Sequence, residues 1–187
     1  MLTMHQTVKT IFRLCLAAVI FLVTLSLMFT CVAKIQEILK ADQYYQQAVS
    51  IPLKSSAKAQ YVLVSNNQRP DNALFILIAG NGYVAKISCE HYAALCTDDY
   101  NQSHTRQIQN VNLVKVRNYF YIENIQFQDS RTGQITKLSY SINELKQFYN
   151  NDISNLKYIL FAISLFALAA LFVSIKILKN FSRFLEK

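Results

Sequence analysis

The sequence predicts an α+β membrane protein in which two transmembrane helices, extended by membrane-proximal helices, flank a small antiparallel β-sheet domain. Two observations carry this. Uncharged apolar runs occupy 14–33 and 158–175, near the two ends. Between them the apolar period shortens to the two-residue alternation of strands, punctuated by turn-forming residues. The chain divides accordingly into an N-terminal tail (1–10), a first span (11–33), a central domain (34–157), a second span (158–178) and a C-terminal tail (179–187).

The run 14–33 holds twenty residues without a charge, and a helix of that length rises about 30 Å, the thickness of a hydrocarbon core. The run 158–175 holds eighteen and extends through Ile177 and Leu178 if Lys176 reaches back to the interface. A cleaved signal peptide is the rival reading of the first run, since Lys9 and Arg13 precede it and Cys31, Val32 and Ala33 resemble a cleavage site. Its apolar region is longer than the roughly 7 to 15 residues such a signal uses. A lipoprotein signal at Cys31 would need small residues where Phe29 and Thr30 stand.

Orientation follows from the basic residues beside the spans. Lys9 and Arg13 precede the first; Lys176, Lys179, Arg183 and Lys187 follow the second. Both tails are therefore expected in the cytoplasm and the central domain on the far side, with Lys34 and Lys157 in weak opposition. A bacterial inner membrane with a periplasmic domain is the compartment this pattern suggests.

The net charge of +8 invites a nucleic-acid reading, but its distribution excludes one. Between 35 and 155 eleven Lys and Arg stand against ten Asp and Glu, so the central domain has no basic stripe to neutralise phosphates.

Within that domain, 34–48 has helical spacing at Ile35, Ile38, Leu39 and Tyr45, and should stop before Ile51 and Pro52. Strands are expected at 60–65, 73–79, 83–88, 108–117, 119–128 and 134–140. Gly80, Asn81 and Gly82 suit one tight hairpin, and 129–133 a second. On 119–128, Tyr119, Tyr121, Ile125 and Phe127 should share one face, with Asn124, Gln126 and Gln128 on the other. Ser141 and Glu144 have capping-box spacing, so a helix should begin there and present Ile142, Leu145, Phe148 and Tyr149 as an apolar stripe. Asn150, Asn151 and Asp152 are candidates for a break before the second span.

Four cysteines divide between environments. Cys15 and Cys31 lie in the first span, as small apolar packing residues. Cys89 and Cys96 lie in the exported segment, where a short even pair predicts a disulfide. His91 and His104 could join them around zinc, but six residues separate the cysteines where structural zinc sites use two to four. Ser88, His91, Asp98 and Asp99 supply the residue types of a hydrolase without any recognisable arrangement, and a polar loop accounts for the two aspartates. No phosphate-binding glycine loop is present among only three glycines. No catalytic, cofactor-binding or metal-binding residue is therefore assigned.

The uncharged runs 14–33 and 158–175 contain no acidic residue, lysine or histidine. Arg13 sits at the cytoplasmic edge, so an ion pathway lacks its usual groups. Ala170 and Ser174 have a spacing that admits a neighbouring helix, which leaves self-association open.

The favoured expectation is a non-enzymatic protein whose exported domain binds another protein. An immunity protein that neutralises an envelope-acting toxin heads the settings, with an accessory subunit of a larger inner-membrane complex as the alternative. A ligand sensor is a third class, weakened by tails too short to hold an output domain.

Overall fold

A computed structural model describes residues 2–66, 72–79, 81–96, 105–130 and 132–182. Two long apolar helices flank in sequence a seven-stranded antiparallel sheet. The chain forms two compact units, one of residues 1–41 with 152–187 and one of residues 42–151.

The helical unit contains α1 (Leu2–Leu39) and most of α3 (Ile142–Lys179). Both are long and apolar enough to cross a membrane. They run antiparallel, as Thr24 meets Ser174 and Cys31 meets Ser164. The shielded positions follow the alternating three-and-four spacing of a coiled-coil seam: Ala17, Ile20, Thr24, Leu27 and Cys31 on α1, and Leu160, Ile163, Ala167, Ala170, Ser174 and Ile177 on α3. Several of these side chains are small, so the backbones approach closely. Thr24 Oγ1 donates to the Ile20 carbonyl at 2.8 Å, which leaves Ser174 Oγ as donor in their 2.9 Å contact. The large side chains point the other way: Phe12, Phe29, Phe161, Phe166 and Phe172 are 67–70% exposed.

The second unit carries α2 (Ala41–Gln46) and strands β1 (Val49–Lys54), β2 (Tyr61–Asn66), β3 (Ala73–Ile78), β4 (Asn81–Ser88), β5 (Thr105–Val116), β6 (Tyr119–Asp129) and β7 (Ile135–Ser139). The spatial order is β4-β3-β2-β5-β6-β7, with β1 beside β5. Twelve residues long, β5 is the spine: β2 pairs with its first half and β1 with its second, while β6 covers its other edge. One face of the sheet builds the core from Leu63, Leu74, Ile76, Ile87, Ile108, Leu113, Ile122 and Ile125, with Tyr92 and Leu95 closing over it.

The six expected strands are present with shifted ends, and the seventh, β1, replaces expected loop. Helix over 34–48 is interrupted between α1 and α2, and the chain is already extended at Val49. Pro52 is accommodated because, among the described residues, β1 pairs only with β5, and an edge strand needs no donor on its open side. Arg117 is not part of a strand. It takes a positive φ of 52° in the tight connection to β6, with its guanidinium 4.3 Å from the Tyr44 ring centre. Gly82 (φ 40°) lies inside β4, where the β3 register slips; Gly80 lies outside the described residues.

The face assignment on β6 also changes. Glu123 is an extra residue between Ile122, opposite Leu113, and Asn124, opposite Asn112. Such a bulge reverses the alternation. Ile122, Ile125 and Phe127 join the core, whereas Tyr119 and Tyr121 turn to the opposite face and meet Tyr149.

The Ser141 capping box is present: the Glu144 amide donates to Ser141 Oγ at 3.3 Å, and the Ser141 amide to Glu144 Oε2 at 2.7 Å. The Ser141 amide, and after it the Ser141 hydroxyl donating to the same Oε2 at 2.8 Å, hold the Glu144 carboxyl below its ordinary pKa. In the stripe that follows, Leu145 and Tyr149 are buried but Ile142 is exposed. Asn150, Asn151 and Asp152 do not break α3, which is continuous through them.

Candidate functional site

Two features of the sheet unit bear on function, the clipped segment after β4 and the outer face of the sheet. In the first, a disulfide joins Cys89 and Cys96 with Cα atoms 5.9 Å apart. Two single turns of 3-10 helix lie between, Cys89–His91 and Ala93–Leu95. Ser88 opens the first by accepting the Glu90 amide at 3.2 Å. Tyr92 and Leu95 are buried.

The tyrosine closes an open sheet edge. β7 pairs with β6 only from Asn124 to Gln128, and the Tyr140 amide extends the ladder by one bond to the Glu123 carbonyl at 2.8 Å. At the next position the Tyr92 hydroxyl accepts the Ile122 amide at 2.8 Å and donates to the Ile122 carbonyl at 3.3 Å. One side chain thus supplies both partners that a neighbouring strand would have supplied. The buried Arg106 donates to the Leu95 carbonyl at 2.6 Å and rests against the Phe127 ring, which ties down the other end of the segment.

His91 stacks on Phe148, with centroids 4.6 Å apart and planes 11° from parallel. Tyr140, 5.9 Å from Phe148, has its pKa raised by burial and then by the Glu144 charge. The residues that suggested hydrolysis therefore have structural employment where they are described: Ser88 caps a turn and His91 packs in an aromatic group. Asp98, Asp99 and His104 lie outside the described residues. A zinc site using Cys89 and Cys96 would require both as thiolates, and their sulfurs are bonded to each other.

No protein-family model, curated protein or solved structure matches the chain.

The sheet's outer face carries side-chain amides where the opposite face carries the core. Lys54 pairs with Asn110, Asn110 with Gln126, and Gln126 with Lys137, so these four residues form one row across β1, β5, β6 and β7. Asn110 Nδ2 donates to Gln126 Oε1 at 3.1 Å, and Gln126 Nε2 to Gln109 Oε1 at 2.7 Å. Farther along, the Asn112 amide donates to the Glu123 carboxylate. Where β1 gives way to β2, Lys54, Ser55, Gln107, Gln109, Asn110 and Gln128 border an open groove of about 390 Å³. On β4, Tyr83 is 66% exposed and meets Phe75 edge to face.

This face was only half legible in sequence. The amide alternation at Asn124, Gln126 and Gln128 is visible there, but β1 is not, and without β1 neither Lys54 nor the groove could be placed.

Proposed function

We propose that the chain is a two-pass membrane protein, with both tails cytoplasmic and the sheet domain on the far side, and that this domain binds another protein without chemistry of its own. The observation that carries the membrane reading is the inverted packing of the helical unit. In water, a helix pair buries its large apolar side chains and exposes small or polar ones. Here Ala17, Thr24, Ala167 and Ser174 are buried, while five phenylalanines are exposed. Lipid is the solvent in which that arrangement costs nothing.

The binding reading is supported by the outer face, whose neutral amides and exposed Tyr83 offer hydrogen bonds and an aromatic anchor. Neutralisation of an envelope-acting toxin is the favoured setting. A subunit role in a larger inner-membrane complex is the second, favoured by the exposed apolar faces of both helices, which could seat further helices.

Crosslinking in intact membranes followed by purification of the full chain tests the reading. A stoichiometric protein partner is the expected result. If it is a toxin, deletion of the chain should harm cells only when that toxin is supplied; if it is a resident membrane subunit, deletion alone should disturb the complex. No protein partner under any growth condition contradicts the reading.

A further inference from the structure

We infer that the row Lys54–Asn110–Gln126–Lys137 is a docking site for an extended acidic segment of a protein partner. The inference rests on the binding reading above and deepens it by naming the face and the chemistry of what it receives.

Cross-strand pairing fixes the row without reference to any flexible contact. Lys54 stands opposite Asn110, Asn110 opposite Gln126 and Gln126 opposite Lys137. Directly opposed residues share a face, and all four are exposed or half-exposed. Neighbouring strands lie about 4.8 Å apart, so the two lysine Cα atoms are separated by roughly 14 Å along the row. Each end carries a cation and the middle carries a hydrogen-bonded amide pair. Lys54 also borders the groove, where it is the one charged side chain among the described lining residues.

That arrangement selects a ligand class. Lysines at both ends complement two carboxylates. In an extended chain, which rises about 3.3 Å per residue, carboxylates four residues apart span about the same distance as the lysines. A helix would need roughly nine or ten residues for the same span. The amides between the cations decide between an acidic protein and an anionic polymer. Asn and Gln side chains each present donors and acceptors, as a peptide backbone does. A polyphosphate, which only accepts, would leave the amide oxygens of Gln107, Asn110 and Gln128 without donors from the ligand.

The test uses the full chain in phosphatidylcholine nanodiscs, with fluorescein-labelled octaglutamate as probe and binding read by anisotropy. Octaglutamate should bind, octaglutamine should not, and binding should weaken as salt is raised. Lys54→Glu with Lys137→Glu should weaken it by about ten-fold or more. Asn110→Ala with Gln126→Ala should weaken it less, and Lys146→Glu, an equal charge reversal at an exposed position on α3, should leave it unchanged. Thermal unfolding of each variant separates loss of the site from loss of the fold. Absence of binding, an equal loss in the Lys146 variant, or displacement of the peptide by polyphosphate at equal charge concentration would overturn the inference. A full-length chain that still crosslinks to a stoichiometric partner after such a result retains the binding reading and loses only this location.

Discussion

Tyr92 shows how much one side chain settles in this domain. Its hydroxyl holds both backbone groups of Ile122 at a buried edge. Removing it leaves a buried amide and carbonyl without that partner, so Tyr92→Phe should lower unfolding stability by about 1 to 3 kcal/mol. Denaturant titration of the full chain in detergent, followed by near-ultraviolet circular dichroism, measures this. At Ser141 the relevant variable is pH. Glu144 is held below its ordinary value of 4.5 by bonds from the Ser141 backbone and side chain. Its contribution is therefore complete above that pH and is lost as pH falls through the lowered folded-state value. Glu144→Gln should destabilise at pH 7 and flatten the acid limb of the stability profile, whereas an unchanged limb would remove the carboxylate from this role.

At the scale of elements, the clipped segment behaves as a lid on the core, and its disulfide closes a loop of sequence separation seven. A loop that short restrains the unfolded chain by about 2 to 3 kcal/mol. Cys89→Ser with Cys96→Ser should lower the melting temperature, and reduction of the wild type should match it. The spacing of the two cysteines made this bond legible in sequence, as the Ser141 and Glu144 spacing did for the start of α3. β1 was not legible, because Ile51 and Pro52 signal the end of a helix, and nothing local records that a long β5 has half an edge to fill. The bulge at Glu123 was hidden for a similar reason: alternation read along one strand cannot show that its partner has skipped a residue. Asn150, Asn151 and Asp152 read as a break, yet neighbouring residues of α3 are good enough helix formers to carry a continuous helix through them.

For the whole molecule, the two units follow opposite rules of burial. The sheet unit hides Leu63, Leu74, Ile76 and Ile122 and exposes amides; the helical unit hides Ala17, Thr24 and Ser174 and exposes phenylalanine. Hydropathy in the sequence already separated the two units, and under the proposed membrane reading lipid faces one and water the other. Overfilling the helix seam should hurt as much as a cavity does elsewhere: Ala167→Leu is expected to cost about 1 to 3 kcal/mol of pairing and to reduce the amount of intact protein recovered from membranes, while Phe166→Leu on the exposed side should be silent. The proposed topology puts the sheet domain and the C-terminal end of α3 on opposite sides of a bilayer. Single cysteines at the exposed positions Lys58 and Ser182, introduced in a chain with Cys15 and Cys31 replaced by Ala, can be reacted with a membrane-impermeant maleimide in sealed right-side-out vesicles. Lys58→Cys should label at once and Ser182→Cys only after the bilayer is permeabilised; equal labelling of both before permeabilisation would refute the opposite-sides topology.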